Sequence, residues 1–453
     1  MSTTGQRSFA PTARVFRRER TLVGLLCTAL AGAVLFNTLT QPLPKTLIVA
    51  APRQTRMTAG QGPEKELLKR FEEKYGVEVE LVLTDTPEQV VELVENGRAH
   101  IGLAIGVAPL DTDVESSRRR GTGIAYGPLY DTQPIYAVDW ETNENEPLEL
   151  PNPPSPALDE MLRVARSFSQ DPLLAPALPL DALLLLIPFL PEVRDTAPTG
   201  RFASTRFLWR TDVPQLDKTM REFWAQVDDG DTLTAMRERT MGYLPEDPDP
   251  VEMELLRSTL VSNATPLAPV IRKASHRFKL DPFLLMAVIH QESHFNPNAV
   301  SHTGVRGLMQ LTNATMEFLD VHDPENHAEV ISAGARYLAG LRSDFLNMGY
   351  GPEDAQWLAL ASFNVGQGHV QDAIELARAG GLTRPGWLSV RTILPTMNRL
   401  EVAQQTKYGL CRGFEAVDFV DKVRYFSYAI KGLVFNSGAQ GDELSGLHLS
   451  LAR

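Results

Sequence analysis

Cysteine is nearly absent, with two in 453 residues. Cys27 lies inside an apolar run near the N-terminus, so Cys411 stands alone beyond it and no intrachain disulfide framework holds the fold. Basic residues are outnumbered, 44 Lys and Arg against 56 Asp and Glu, for a formal charge of −12. Nucleic-acid binders present a basic face, so this balance argues against nucleic acid as a partner. Metal-ligand spacing is missing as well. His290, His294 and His302 gather in one region but form no HExxH or similar pair, and neither metal nor cofactor is expected. No internal repeat stands out, which excludes a solenoid. The length itself is too great for one core, so two domains with appendages are expected.

Only one charge-free run approaches the roughly 20 residues that a spanning helix needs. It is "TLVGLLCTALAGAVLFNTL", residues 21–39, preceded by Arg14, Arg17, Arg18 and Arg20. A basic flank ahead of an apolar run keeps residues 1–20 inside and exports the rest. Two readings stand: an uncleaved signal anchor in the inner membrane, or a signal peptide cut after "ALA", Ala29 to Ala31, with later peripheral attachment to the outer membrane. Cutting there leaves a short apolar core, which favours the anchor.

From Lys45 the texture changes. "TLIVAAP" reads as a buried strand, "PEKELLKRFEEKYG" as an amphipathic helix, "VEVELVLTD" as a strand, "TPEQVVELVENGRA" as a helix and "HIGLAIG" as a strand. That alternation predicts a parallel sheet with crossover helices. "GIAYGPLYDTQPIYAVDW" is strand-like, "ENEPLELPNPPSPALDE" is a linker or crossing loop, and "ALDEMLRVARSFS" and "LDKTMREFWAQVDDGDTLTAMRERTMGYLP" are helical. An acidic, Pro-rich linker is expected over 245–265 and a helical domain over 266–437. A small, polar flexible tail follows over 438–453. The order of elements over 45–244 resembles the periplasmic solute-binding proteins that clamp amino acids between two lobes. That resemblance implies a type II periplasmic-binding-protein-like α/β domain with a shortened second lobe. It also implies an amino-acid or muropeptide ligand, with Arg118, Arg119 and Arg120 as candidates to grip a carboxylate or simply as a solvated charge run.

The helical half raises a sharper question. "LDPFLLMAVIHQES" opens with a cap at Asp281 and Pro282 at the first helical position. Leu285, Val288, Ile289 and Glu292 then share one face. A glutamate at the end of an apolar stripe is partly desolvated, which raises its pKa and suits a general acid near neutral pH. The plain alternative is a solvated glutamate at a frayed helix end.

The residues that follow resemble the signature of the lytic transglycosylases with a goose-lysozyme-like fold. They are Glu292-Ser293, Asn296-Pro297, Ser301 with Gly304, Gly307-Leu308-Met309-Gln310, and later "ALASFNVG" with Phe363 and Asn364. "ENHAEVISAGARYLAGL" resembles the helix between these blocks. A solute-binding-like domain ahead of such a domain resembles one subfamily, the membrane-bound lytic murein transglycosylases F. The implied fold is an N-terminal membrane helix, an α/β domain and a C-terminal lysozyme-like, mainly α-helical domain.

The implied substrate is the glycan strand of peptidoglycan. The implied chemistry is cleavage of the β-1,4 bond between N-acetylmuramic acid and N-acetylglucosamine without water, leaving a 1,6-anhydro end. Protonated Glu292 acts as acid and then as base. Ser301 positions the acetamido group, Ser293 joins the site and ties the helix end, and Gln310 and the backbone of Gly307–Met309 line the cleft, with the Met309 side chain either there or in the core. Phe363 and Asn364 build the opposite wall. Two departures weaken the pattern: the family's tyrosines are Phe363 and Phe419 here, the latter in "EAVDFV" after Glu415. Tyr425 is a candidate to replace a lost hydroxyl. Two other functions remain open. A hydrolytic muramidase would need a second acid, for which Asp320 and Asp323 are the nearby choices. A muropeptide-binding sensor with weakened catalysis would fit the two phenylalanines.

Overall fold

The computed structural model describes residues 42–52, 63–107, 123–140, 177–189, 193–227, 231–302 and 304–440. The segment 21–39, the cluster Arg118 to Arg120, the Pro-rich stretch and the helix expected over 157–169 lie outside the described residues. Among the described residues no helix is long and apolar enough to cross a membrane.

The first half is built around a seven-stranded sheet of order β2-β1-β3-β7-β5-β6, with β4 also paired to β7. Strand β1 (Thr46–Pro52) runs parallel to β2 (Glu78–Thr84) and β3 (Ile101–Val107). The crossovers are α1 (Glu64–Tyr75) and α2 (Pro87–Glu95). Helix α2 starts where it does because Thr86 and Gln89 form a reciprocal capping box. Gly102 on β3 lets this helix lie close, since an added Cβ would stand 2.7 Å from Val90 Cγ1.

The parallel expectation holds only for these three strands. Strands β4 (Ile124–Tyr126), β5 (Asp131–Trp140) and β6 (Ala177–Pro179) lead through α3 (Leu180–Leu186) to β7 (Val193–Arg210). The 18-residue β7 is antiparallel to β3, β4 and β5, so it reverses the sheet. Its middle, "TAPTGR", is polar and carries Pro and Gly, which hid a long strand from pattern reading. Helices α4 (Leu216–Val227) and α5 (Asp231–Met241) close this half.

The expected linker is not a loop. Asp249 caps α6 (Pro250–Thr259), and a π-helical turn (Leu260–Ala264) and a short 3-10 turn carry the chain into α7 (Ala268–Phe278). Met253, Leu256, Leu260 and Ala264 are buried in the same hydrophobic core as the helices that follow. Those are α8 (Pro282–Ser293), α9 (Asn313–Phe318), α10 (His327–Asn347), α11 (Pro352–Val365), α12 (Gln367–Ala379), α13 (Trp387–Ile393), α14 (Leu400–Ala403) and α15 (Gly413–Gln440).

That core also takes in Val138, Leu178, Leu183, Leu185, Leu186 and Ile187 from the first half, so the two halves share one apolar interior. Hydrogen bonds stitch the same seam. Tyr425 Oη donates to Leu184 O and Tyr428 Oη to Leu185 O, each at 2.8 Å, and Arg257 Nη2 donates to Pro188 O at 2.8 Å. Beside them Glu238 accepts from Arg424 Nη1 at 3.1 Å and from Arg391, which also pairs with Asp421.

Candidate active site

Helix α8 is apolar on nearly every side. Phe283 through His290 are all buried, so the helix is a central post rather than a surface helix with one wet face. Its start is fixed by Asp281 Oδ1, which accepts from Phe283 N at 2.8 Å. Its end is fixed by two successive left-handed residues, His294 (φ 50°) and Phe295 (φ 57°). Such a conformation costs a non-glycine residue about 1–2 kcal/mol. Burial of the Phe295 ring offsets that cost and pins the turn.

Glu292 therefore stands in the last turn of a rigid post. Its surface is half-buried, and burial raises its pKa to about 8, with no neighbouring charge contributing. No hydrogen bond or ion pair to it is found among the described residues. Its neighbour His290 is fully buried, and burial first, then His294, lowers its pKa to about 3. That imidazole is neutral across the working range and adds no charge beside the carboxyl.

Ser293 points the other way. It is buried, and its Oγ lies 2.9 Å from Leu308 O and 3.1 Å from Ile289 O. It clamps the post to the Gly307–Gln310 loop and does not line the cleft, a correction to its expected place among substrate contacts. For Met309, core packing is what the side chain shows. Its side chain is fully buried against α10, where a Cβ on Gly334 would stand 2.4 Å from its Sδ.

Ser301 sits in a tight turn. Its N donates to Val305 O at 2.8 Å, and its Oγ accepts from Val305 N at 3.0 Å. Gly307 adopts φ 97° and its N donates to Ala299 O at 3.0 Å. Gln310, itself left-handed at φ 45°, ties the loop through Nε2 to Gly307 O at 2.8 Å. Its Oε1 is buried without a protein partner, an acceptor held in reserve at the loop.

Phe363 and Asn364 lie on α11 and Phe419 on α15. Asn364 is exposed at the end of α11, just before Gly366 turns the chain. Phe363 is half-buried and lies against Tyr337 of α10 (centroids 5.7 Å) and, nearly parallel, against Phe419 of α15 (6.4 Å, 12°). Phe419 itself is covered, so it backs Phe363 rather than meeting a ligand. Tyr425 does not replace a missing hydroxyl, because its Oη is spent on Leu184 O at the seam between the halves. Sequence reasoning missed Tyr337, although it lies within the quoted helix "ENHAEVISAGARYLAGL". Burial raises its pKa and keeps its hydroxyl protonated. Asp320 and Asp323 are exposed, and Asp323 Oδ1 caps Glu325 N at 3.0 Å. Among the described residues no cluster of three His, Cys, Asp or Glu could hold a metal ion.

A carboxyl with a raised pKa at the end of a buried helix, joined through Ser293 to a loop with left-handed Gly307 and Gln310, is a site suited to general acid chemistry. Residues 269–382 match the family described as Transglycosylase SLT domain. Over 406 residues the chain is 30% identical to "Membrane-bound lytic murein transglycosylase F 2" of Alkalilimnicola ehrlichii, covering 82% of this chain and 86% of that one. The chain belongs to the membrane-bound lytic murein transglycosylase F family. A relative of that name from Desulfosudis oleivorans is 34% identical over 236 residues; the match spans 52% of this chain and about half, 51%, of that one. Among solved structures, the GluR0 ligand-binding core complexed with L-glutamate is similar to 44% of this chain and 99% of its own, at 13% identity and a TM-score of 0.31.

Proposed function

We propose that the chain cleaves peptidoglycan glycan strands by lytic transglycosylation, with Glu292 as the only acid–base group. The observation that carries this reading is the isolation of Glu292: burial alone raises its pKa to about 8, and no second carboxylate perturbs it. A group in that state is protonated at neutral pH and donates readily. Glu292 gives its proton to the glycosidic oxygen as the bond from C1 of N-acetylmuramic acid breaks, and the sugar's N-acetyl carbonyl stabilises the cationic centre. The carboxylate left behind then takes the proton of the C6 hydroxyl as that oxygen bonds to C1. Proton and bond counts close without water. Ser301 and the Gln310 amide position the acetamido group and flanking sugar, Gly307 lets the loop approach the glycan, and Phe363 and Asn364 form the facing wall.

A hydrolytic muramidase is less well supported, because Asp320 and Asp323 are exposed and carry no sign of a paired acid. We infer in addition that residues 45–244 form a binding domain for an amino acid or muropeptide, joined to the catalytic region of 266–437. In this reading the segment 21–39 holds the protein at the periplasmic face of a bacterial membrane. The test of catalysis is digestion of purified sacculi by the detergent-solubilised full chain, with mass spectrometry of the products. Products ending in 1,6-anhydro-N-acetylmuramic acid, lighter by one water than reducing ends, are expected. Reducing ends would transfer the reading to a hydrolase.

A further inference from the structure

Tyr408 and Leu410 stand out into solvent, 50% and 60% exposed, on the segment 404–412 between α14 and α15. The segment is not loose. Buried Asp372 of α12 accepts from Lys407 N at 3.1 Å and from Tyr408 N at 2.8 Å, and Cys411 N donates to Met397 O at 3.1 Å. Gly413 closes the segment where Leu394 O leaves no room for a Cβ. The Tyr408 ring is held as well. A Cβ on Gly368 would stand 2.8, 2.9 and 2.9 Å from its Cε2, Cδ2 and Cζ. Near-equal distances to three successive ring atoms mean that one face of the ring lies on the first turn of α12. An aromatic ring pinned on one face and exposed elsewhere is preorganised for contact and loses little entropy in making it.

Two contacts place this ring beside the candidate site. Gly368, under the ring, follows Asn364 across the Gly366 turn between α11 and α12. Arg412 Nη1 lies 3.4 Å from His302 Nε2, within the turn that Ser301 and Val305 close, and 2.9 Å from Glu415 Oε1. The segment therefore reaches from the Asn364 end of α11 to the Ser301 turn. A pyranose carries C–H groups on one face and hydroxyls around its edge, which matches the apolar face and polar rim of a tyrosine. Lys407, its Nζ 5.1 Å from the ring centroid, and Arg412 add exposed cations at this place.

We propose that Tyr408, backed by Gly368, is the platform of a further sugar subsite, which extends the cleft beyond the sugars at Glu292. One pyranose of the glycan strand stacks on the ring, and Lys407 and Arg412 meet the lactyl carboxylates of muramic acid units alongside. The inference deepens the transglycosylase reading and rests on its substrate, the glycan strand. Products from sacculi report the reaction and oligosaccharide affinity reports the subsite, so either can fail alone.

The test is calorimetric titration of the detergent-solubilised full chain carrying Glu292→Gln. The probes are peptide-free peptidoglycan oligosaccharides of two, four, six and eight sugars. Affinity is expected to rise with length. Adding Tyr408→Ala is expected to weaken the longest oligomer about fivefold or more and to spare the shortest one that binds. Tyr408→Phe keeps the ring and is expected to restore the long-oligomer affinity. Gly368→Ala drives a methyl into the ring and is expected to weaken the long oligomers selectively. An equal loss at every length would make the effect of Tyr408→Ala structural and overturn the proposal. So would no loss at any length, the result for a segment that faces a membrane instead, or no saturable binding of any oligomer. Circular dichroism confirms that each variant is folded.

Discussion

Phe363 and Phe419 lie face to face, their ring centroids 6.4 Å apart and their planes 12° from parallel. Phe363 is the half-buried partner and Phe419 the covered one, so the pair divides its work between wall and backing. Phe363→Ala is expected to lower kcat/KM on glycan at least about tenfold while leaving the fold intact. Phe419→Ala removes a buried ring and is expected to cost about 3–5 kcal/mol of stability. Steady-state kinetics and denaturant melts on both variants separate the two roles. A Phe419→Ala protein with unchanged stability would contradict the backing role.

Glu292→Gln keeps shape and removes the transferable proton. Turnover is expected to fall at least about 10³-fold, since one group serves both proton transfers. The circular dichroism spectrum should be unchanged. Appreciable turnover in this variant would remove Glu292 from the mechanism.

The same carboxyl sets a pH dependence. Its folded pKa of about 8 stands above the ordinary value of 4.5. Between those pH values the native state holds a proton that the unfolded chain has lost, so stability contributed by this group falls as pH rises through the window. Glu292→Gln cannot ionise. Its melting temperature relative to the parent is expected to rise steadily from pH 5 to pH 8, by roughly 1 °C for each kcal/mol. The activity of the parent should fall above about pH 8 as the acid form is lost. A flat difference in melting temperature would show that the carboxyl is not desolvated.

The clamp between the post and the loop makes a further separation possible. Ser293→Ala removes the hydroxyl that spans Ile289 O and Leu308 O, at an expected cost of about 1–3 kcal/mol. Gly334→Ala drives a methyl into Met309 Sδ and should cost about 1–3 kcal/mol as well. Both should lower kcat more than they raise KM, because they loosen the loop without touching a sugar. A variant with normal stability and a raised KM would place Ser293 in the cleft after all.

The first three strands, their two crossovers and the cap of the α8 post were legible because each rests on local signals: period, a Thr-x-x-Gln box, an Asp-Pro start. Strand β7 was not, since its polar middle carries no apolar alternation and its partners lie far away in sequence. The segment 245–265 read as a linker from its acidic residues and prolines. Yet Asp249 and Pro250 are a helix start, and Met253, Leu256 and Leu260 face the core. At the site, residue identities were readable and directions were not. Nothing in "ES" or "GLMQ" states that the Ser293 hydroxyl and the Met309 side chain are buried, because that depends on Leu308 O and on Gly334 of α10. Tyr425 looked like a spare hydroxyl until Leu184, 241 positions earlier, proved to be its acceptor.

The apolar interior common to both halves bears on how the protein can be dissected. A cut at the Pro-rich junction near residue 245 would not release a ready-made catalytic module. It would strip Leu183, Leu185, Leu186 and Ile187 out of the core they share with α6 and α15, and leave Tyr425 and Tyr428 without their carbonyl acceptors. A fragment prepared that way would present greasy, unsatisfied surface to water and tend to precipitate. Solubility of the isolated piece is thus a property of the missing half, and its behaviour in a test tube would say little about the intact protein.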